Sequence, residues 1–206
     1  MMKLVLTLAL SAIAGDVTPS TLPTSTASNL AFNTEFYDRS RERRIPVAIY
    51  GATGTPKPLA IISPGWDEPY RSAHTAYGFM AEYLVRQGFV VAAIQHQLPS
   101  DPTPPSVGNL AVLRRPYWEA GVANILHVDG VLRGLGVVDT SKAAVLVGHS
   151  HGGDISMLLA TLHPEFADAV LTSTTAGWRY HEPRGRASAR CARPSPRPRS
   201  IPWRVP

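Results

Sequence analysis

One stretch, residues 143–163, constrains the fold of this 206-residue chain more than any other. It begins with an unbroken apolar run, residues 143–147, which is typical of a strand buried on both faces. The run leads through Gly-His-Ser-His-Gly-Gly, residues 148–153, into a proline-free segment of good helix formers. A strand that enters a helix with almost no loop must turn sharply, and glycines let the two elements approach closely. Residues 148–153, here named the elbow, therefore predict a strand–turn–helix unit with Ser150 at the tip of the turn.

The elbow matches the pattern G-x-S-x-G, and its setting predicts a chemical role for Ser150. The turn would hold the Ser150 hydroxyl exposed at the carboxyl edge of the sheet. It would also place the N–H of His151 at a helix N-terminus, where amide donors and the helix dipole favour negative charge. A serine that attacks a carbonyl carbon needs this arrangement. The alternative is a glycine-rich turn whose serine only caps the helix.

The basic character of the chain is confined to its last residues. Residues 1–178 carry 12 Lys and Arg against 14 Asp and Glu, whereas residues 179–206 carry 8 Arg against 1 Glu. The rest of the chain is therefore close to neutral, and the overall charge of +5 does not indicate a nucleic-acid-binding domain. The single cysteine, Cys191, excludes an intramolecular disulfide.

The N-terminus has the pattern of an export signal. A short basic start and an apolar run end at Ala-Ile-Ala, residues 12–14, which predicts a signal peptide over residues 1–14 and a secreted or periplasmic protein. The apolar run is too short to span a bilayer. The alternative is an ordinary buried strand or helix. Residues 15–37 are predicted to be a flexible lead-in, because their first half is rich in Thr, Ser and Pro.

Strand and helix patterns alternate along residues 38–178. The predicted strands cover residues 45–50, 59–62, 89–94, 143–147 and 167–172, and the predicted helices cover residues 75–87 and 116–135. The first helix has an apolar face made of four side chains: Phe79, Met80, Tyr83 and Leu84. Pro46 favours an edge position for the first strand. The alternation predicts an α/β fold, a mostly parallel sheet with helices on both faces.

Two segments resemble the α/β-hydrolase superfamily: Ser-Pro-Gly-Trp at residues 63–66, and the elbow. The order of parts matches over residues 38–173, and the branch of dienelactone hydrolases and platelet-activating-factor-acetylhydrolase-like esterases is the most similar. Arg-Ile-Pro-Val at residues 44–47 and Gly-Phe-Val-Val-Ala-Ala at residues 88–93 resemble that branch.

The resemblance implies hydrolysis of a small-molecule carboxylic ester through an acyl-enzyme. Ser150 would be the nucleophile, and the amides of His151 and Trp66 would form the oxyanion hole. The family chemistry needs no cofactor. The substrate's acyl and alcohol groups and the oligomeric state stay open.

Four further side chains are candidates for substrate contact. Asp67 and Tyr70 lie on the loop that would face Ser150, and His96 ends a strand at the same edge of the sheet. For His96 the sequence favours a plain loop histidine over a residue that lines the pocket. His149 flanks the serine together with His151, but residues two apart at a turn tend to point apart, so no metal site is predicted.

The acid and the histidine of a family triad would follow the strand at residues 167–172. The residues after that strand include one histidine, His181, and one acid, Glu182, without a further strand pattern. We therefore expect an incomplete α/β-hydrolase domain over residues 38–178 with impaired activity. Residues 179–206 predict a disordered Arg/Pro-rich tail. The tail could bind anionic surfaces, could have no role, or could result from a reading-frame shift. The alternatives to an esterase are an inactive fragment and a basic-tailed binding protein.

Overall fold

The computed structural model describes residues 32–66 and 72–174 of the chain. The predictions for the signal peptide, for Asp67 and Tyr70, and for the tail at residues 179–206 lie outside the described residues. Within the described residues, no helix is both long enough and apolar enough to cross a bilayer.

Strands and helices alternate through most of the described chain. The strands are β1 (Phe32–Asp38), β2 (Arg43–Tyr50), β3 (Leu59–Ser63), β4 (Val90–Ile94), β5 (Ala144–Ser150) and β6 (Ala167–Thr174). The helices are α1 (Gly78–Arg86), α2 (Leu110–Leu113), α3 (Arg115–Gly134) and α4 (His151–Leu162), and a 3₁₀ turn at Ala73–Thr75 precedes α1.

The strands form one sheet in the order β1-β2-β4-β3-β5-β6. The pairs β1–β2 and β2–β4 are antiparallel, and the pairs among β4, β3, β5 and β6 are parallel. The carboxyl ends of the four parallel strands therefore meet at one edge of the sheet, which is where open α/β sheets bind ligands. The predicted α/β fold with a mostly parallel sheet is confirmed.

Helices cover both faces of the sheet. Successive residues of a strand point to opposite faces. Ile61 belongs to the larger core cluster, with side chains of α3 and α4, and Ile62 belongs to the smaller cluster beneath α1. The helices α3 and α4 also pack closely on each other, because a Cβ on Gly121 would lie 2.5 Å from Cδ1 of Ile155. Their close packing fixes α4, and with it the elbow, against the sheet.

The first strand corrects the predicted extent of the lead-in. The sequence predicts a flexible segment over residues 32–37, but these residues form most of β1, which pairs along its whole length with β2. Phe36 is its most buried apolar side chain, at 2% exposure. An edge strand such as β1 can form with few buried apolar side chains, because its backbone hydrogen bonds to the neighbouring strand β2 hold it in place. The composition of the segment therefore did not reveal the strand.

The position of Pro46 was also predicted wrongly. β2 lies between β1 and β4 and is not an edge strand. The carbonyl oxygen of Pro46 accepts a hydrogen bond from the N–H of Gln95 at 2.9 Å, one step beyond the last β2–β4 pair, Val47 and Ile94. The N–H and C=O of a strand residue face the same neighbour. The donor that proline lacks therefore falls at the end of the ladder, where its loss is tolerated.

The apolar face of α1 differs from its prediction. Ala81 is fully buried, whereas Phe79 and Tyr83 are 69% and 56% exposed. Met80 and Leu84 are half-buried and pack on the smaller cluster. The helix therefore approaches the sheet through its small residue and leaves two aromatic side chains in solvent.

Candidate active site

Ser150 has an unusual backbone conformation at the junction of β5 and α4. Its φ is 53° and its ψ is −120°. A residue with a side chain rarely adopts a positive φ, and such strain costs about 1–3 kcal/mol. The Ser150 side chain makes no capping hydrogen bond to the helix, so the alternative in which the serine only caps α4 is not supported. Since β5 lies between β3 and β6, the strained residue sits in the interior of the carboxyl edge.

The glycines of the elbow are needed where the turn packs against β3. A Cβ on Gly148 would lie 2.5 Å from the carbonyl oxygen of Gly152. A Cβ on Gly152 would collide with the backbone oxygens of Ser63 and Pro64. These neighbours are backbone atoms that cannot turn away, so the elbow requires glycine at both positions and is held against the end of β3.

The segment after β3 lies directly beside Ser150. A Cβ on Gly65 would be 3.3 Å from Cβ of Ser150 and 2.7 Å from Nδ1 of His149. Trp66, the next residue, is half-buried, and its Nε1 is buried without a partner in residues 32–66 and 72–174. The segment that carries Trp66 therefore lies beside Ser150 and His149, although it is far from them along the chain.

His151 opens α4, so its N–H is among the first four of the helix, which have no partner within the helix. Its side chain is buried, at 2% exposure. Neither ring nitrogen has a hydrogen-bond partner within the described part of the chain. Burial, and then the nearby Arg114 guanidinium, lower the pKa of His151 to about 4. The imidazole is therefore neutral at physiological pH.

His96 is a buried side chain and not a plain loop histidine. It follows β4, and its Nε2 lies 3.0 Å from Oγ of Ser63. Its carbonyl oxygen accepts a hydrogen bond from Arg43 at 2.7 Å. Burial lowers the pKa of His96 to about 3, and charge on His151 and Arg43 adds to the effect. His96 therefore ties β4 to the end of β3 as a neutral imidazole.

A small pocket opens between these elements. It is lined by residues from the segment after β3, the 3₁₀ turn, the end of β4 and the start of α4: Pro64, Gly65, Ala73, Gln95, His96, Gln97 and His151. Gln95 is held there by His74, whose Nδ1 lies 3.0 Å from Oε1 of Gln95. The pocket touches His151, which follows Ser150, and Gly65, which packs beside it.

The two histidines that flank Ser150 have different surroundings. His149 is exposed, and its Nδ1 lies 2.7 Å from the hydroxyl oxygen of Tyr77, whereas His151 is buried in the pocket. Among the described residues, no group of three or more His, Cys, Asp or Glu side chains could hold a metal ion.

The described residues supply no hydrogen-bonded base for Ser150. The Ser150 hydroxyl makes no hydrogen bond to another side chain in residues 32–66 and 72–174. Asp154, in the first turn of α4, is fully buried. His181 and Glu182 lie outside the described residues.

Sequence reasoning missed several residues of this site. Tyr77 is 72 positions from its partner His149, and Ser63 is 33 positions from His96. Gln95 and Gln97 follow a buried strand, as His96 does. That position at the carboxyl edge was the one available signal for them.

Comparison with known proteins gives structural neighbours alone. No protein-family model matches the chain, and no curated protein matches it in sequence. A protein assigned as a dipeptidyl aminopeptidase IV, from Bacteroides ovatus, is 15% identical with a TM-score of 0.52, over 69% of this chain and 20% of that one. A protein assigned as a carboxylesterase, from Lactobacillus plantarum, is 15% identical with a TM-score of 0.48, over 70% and 59%. A dienelactone hydrolase from Anabaena variabilis is 14% identical with a TM-score of 0.47, over 70% and 62%.

At these identities the likeness is one of fold. The chain has the α/β-hydrolase fold that residues 63–66 and the elbow predicted. It spans about three fifths or less of each of the three solved structures.

Proposed function

We propose that the chain is a serine hydrolase of carboxylic esters, with Ser150 as its nucleophile. The observation that carries the proposal is the strained Ser150 backbone, φ 53°, at the carboxyl edge of the sheet. Such strain persists only where the surrounding structure enforces it, and it clusters at active sites. The close approach of Gly65 and the lack of a capping bond support the same role.

In this mechanism the Ser150 hydroxyl gives its proton to water as Oγ bonds to the ester carbonyl carbon, and the carbonyl π electrons move to oxygen. The N–H groups of His151 and Trp66 stabilise that oxyanion. Donors set in place before the reaction cost no reorganisation when the charge develops. When the intermediate collapses, the oxyanion electrons re-form the C=O bond, the ester C–O bond breaks, and the leaving oxygen takes a proton from water and departs as the alcohol. Water then releases the acid from the acyl-enzyme by the same steps.

Turnover by this chain is proposed to be slow. A serine hydroxyl is a weak nucleophile without an adjacent base, and the described residues hydrogen-bond no base to Ser150. Loss of a triad member in a serine hydrolase leaves about 10³–10⁴-fold catalysis over water, from the oxyanion hole and from binding. Slow acylation of a reactive probe is therefore the expected activity.

The test is covalent labelling of the full chain by a fluorophosphonate probe, read by intact mass. We expect one adduct, absent from Ser150→Ala and present in Ser141→Ala. Ser141 is a matched control, because it is an exposed serine before the opposite end of β5. Labelling that survives Ser150→Ala would refute the proposed nucleophile.

A second measurement addresses the base and the rival functions. Turnover of a short-chain p-nitrophenyl ester at the rate of complete serine esterases, lost in His181→Ala, would show that the tail supplies the base. An absence of labelling would favour an inactive fragment. Affinity for polyanions that disappears when residues 179–206 are removed would favour a basic-tailed binding protein.

A further inference from the structure

The small pocket beside Ser150 has buried polar side chains in its lining, next to the apolar Pro64 and Ala73. His96 and His151 are 8% and 2% exposed, and both line the pocket. Nδ1 of His96, both ring nitrogens of His151 and Nε2 of Gln97 are buried without partners in the described part of the chain. A buried polar group without a partner costs about 1–3 kcal/mol. A ligand that pairs with these atoms would recover part of that cost.

The hydrogen bond between His96 and Ser63 determines which ring nitrogen of His96 can bind a ligand. Its Nε2 is taken by Oγ of Ser63 at 3.0 Å, so Nδ1 is the nitrogen left for a ligand. Burial keeps the imidazoles of His96 and His151 neutral, as their lowered pKa values indicate. A neutral imidazole has one donor and one acceptor nitrogen.

This mixture of donors and acceptors suits a hydroxyl group. A hydroxyl both donates and accepts, whereas a carboxylate only accepts. A carboxylate would also bring negative charge next to the carbonyl on which negative charge develops. The chemistry of the walls therefore favours a neutral hydroxyl over an acid.

The size of the pocket limits the ligand to a small group. Its volume is ≈ 10 Å³, which is about the space needed for one water-sized group. Gly65 and His151 line the pocket, and a Cβ on Gly65 would lie 3.3 Å from Cβ of Ser150, so a group in the pocket would be a small substituent close to the reacting carbonyl.

We propose that this pocket is the acyl subsite of the esterase proposed above, and that it takes a short acyl group with a hydroxyl on the carbon next to the ester carbonyl. The substrate class is then esters of 2-hydroxy acids. A pocket of this size has no room for an alkyl chain. The role as an acyl subsite rests on the proposed function, whereas hydroxyl binding in the pocket can be measured without it.

The test uses glycolamide and propionamide, two neutral ligands that differ by a hydroxyl in place of a methyl group. They are titrated into the full-length chain with ¹⁵N-labelled histidine, and the ring nitrogens of His96 and His151 are observed by NMR. We expect glycolamide to shift these nitrogens and to bind about tenfold more tightly than propionamide, as expected for one buried hydrogen bond. Equal affinities, or no shift with either ligand, would overturn the proposal and leave an ordered water as the occupant.

A variant separates recognition from folding. Gln97→Met removes the amide donor but keeps the backbone and the volume, and it should abolish the preference for glycolamide while circular dichroism stays unchanged. Gln87→Met makes the same change after the last residue of α1 and should keep the preference. If Gln97→Met still prefers glycolamide, Gln97 is not part of the site. If it still prefers glycolamide and the ring-nitrogen signals of His96 and His151 do not shift, the proposal is overturned.

The same experiment distinguishes the two proposals. Glycolamide preference without labelling of Ser150 would refute the hydrolase and keep the hydroxyl site. Labelling without the preference would refute the subsite and keep the hydrolase. If both hold, ethyl glycolate should acylate Ser150 about tenfold faster than ethyl propionate.

Discussion

The hydroxyl of Tyr77 lies 2.7 Å from Nδ1 of His149, which joins the residue before α1 to the residue before Ser150. The ring of His149 in turn lies against Gly65, where a Cβ would approach Nδ1 to 2.7 Å. Tyr77 therefore holds His149 over the segment that carries Trp66. This contact couples a helix on one face of the sheet to the proposed oxyanion hole.

Tyr77→Phe should slow the labelling of Ser150 and lower the free energy of unfolding by at most about 1.5 kcal/mol. The lost hydrogen bond is near the surface and contributes about 0.5–1.5 kcal/mol, so a twofold to tenfold slower reaction is expected. Labelling rate and thermal midpoint are measured together. Tyr83→Phe is the control, because Tyr83 is an exposed tyrosine of α1. An unchanged rate in Tyr77→Phe would show that the contact does not position the site.

Ser150→Gly should be more stable than Ser150→Ala by about 1 kcal/mol, because glycine adopts a positive φ without strain. Both variants should lose labelling. Urea unfolding of the two proteins provides the comparison. Equal stability would mean that the backbone relaxes when the serine is removed, and that the strain at Ser150 depends on its side chain.

The elbow and the strand–helix alternation could be predicted because their signals are local. The run at residues 143–147, the two elbow glycines and the helix formers after them specify one turn. The pocket could not be predicted, because it depends on pairs such as Ser63 with His96, whose meeting is set by the strand order. The wrong prediction for Pro46 has the same origin. The sequence shows that Pro46 lacks a backbone N–H, but it does not show that the hydrogen-bond ladder between β2 and β4 ends at this residue.

Gly152→Ala should destabilise the fold strongly, whereas Gly130→Ala should stabilise it. A Cβ on Gly152 meets the backbone of Ser63 and Pro64, but one on Gly130, inside α3, meets nothing within 4 Å. Alanine in an open helical position stabilises by about 0.5–1 kcal/mol over glycine. Urea midpoints test both. A Gly152→Ala protein as stable as the parent chain would refute the close packing of the elbow on β3.

The N-terminal sequence predicts export and cleavage after Ala14, which would leave Gly15 as the first residue. Mass spectrometry of protein recovered from the culture medium or periplasm measures this directly. Replacing Ala14 by a bulky residue should block processing, because signal cleavage sites need small residues. Exported protein that retains Met1 would contradict the prediction, as would protein found only in the cytoplasm.

Acid should destabilise the fold between about pH 6.5 and about pH 4, through the buried histidines. Burial lowers the pKa of His151 to about 4 and that of His96 to about 3, from 6.5. In this window the unfolded chain binds protons that the folded chain does not, so the free energy of unfolding falls by at most about 1.4 kcal/mol per pH unit for each histidine. Asp38, with a pKa near 2 instead of 3.8, acts only at lower pH. Urea unfolding at about pH 7 and about pH 5 measures the fall, which His151→Leu should reduce. Equal stability at both pH values would show that these imidazoles reach solvent.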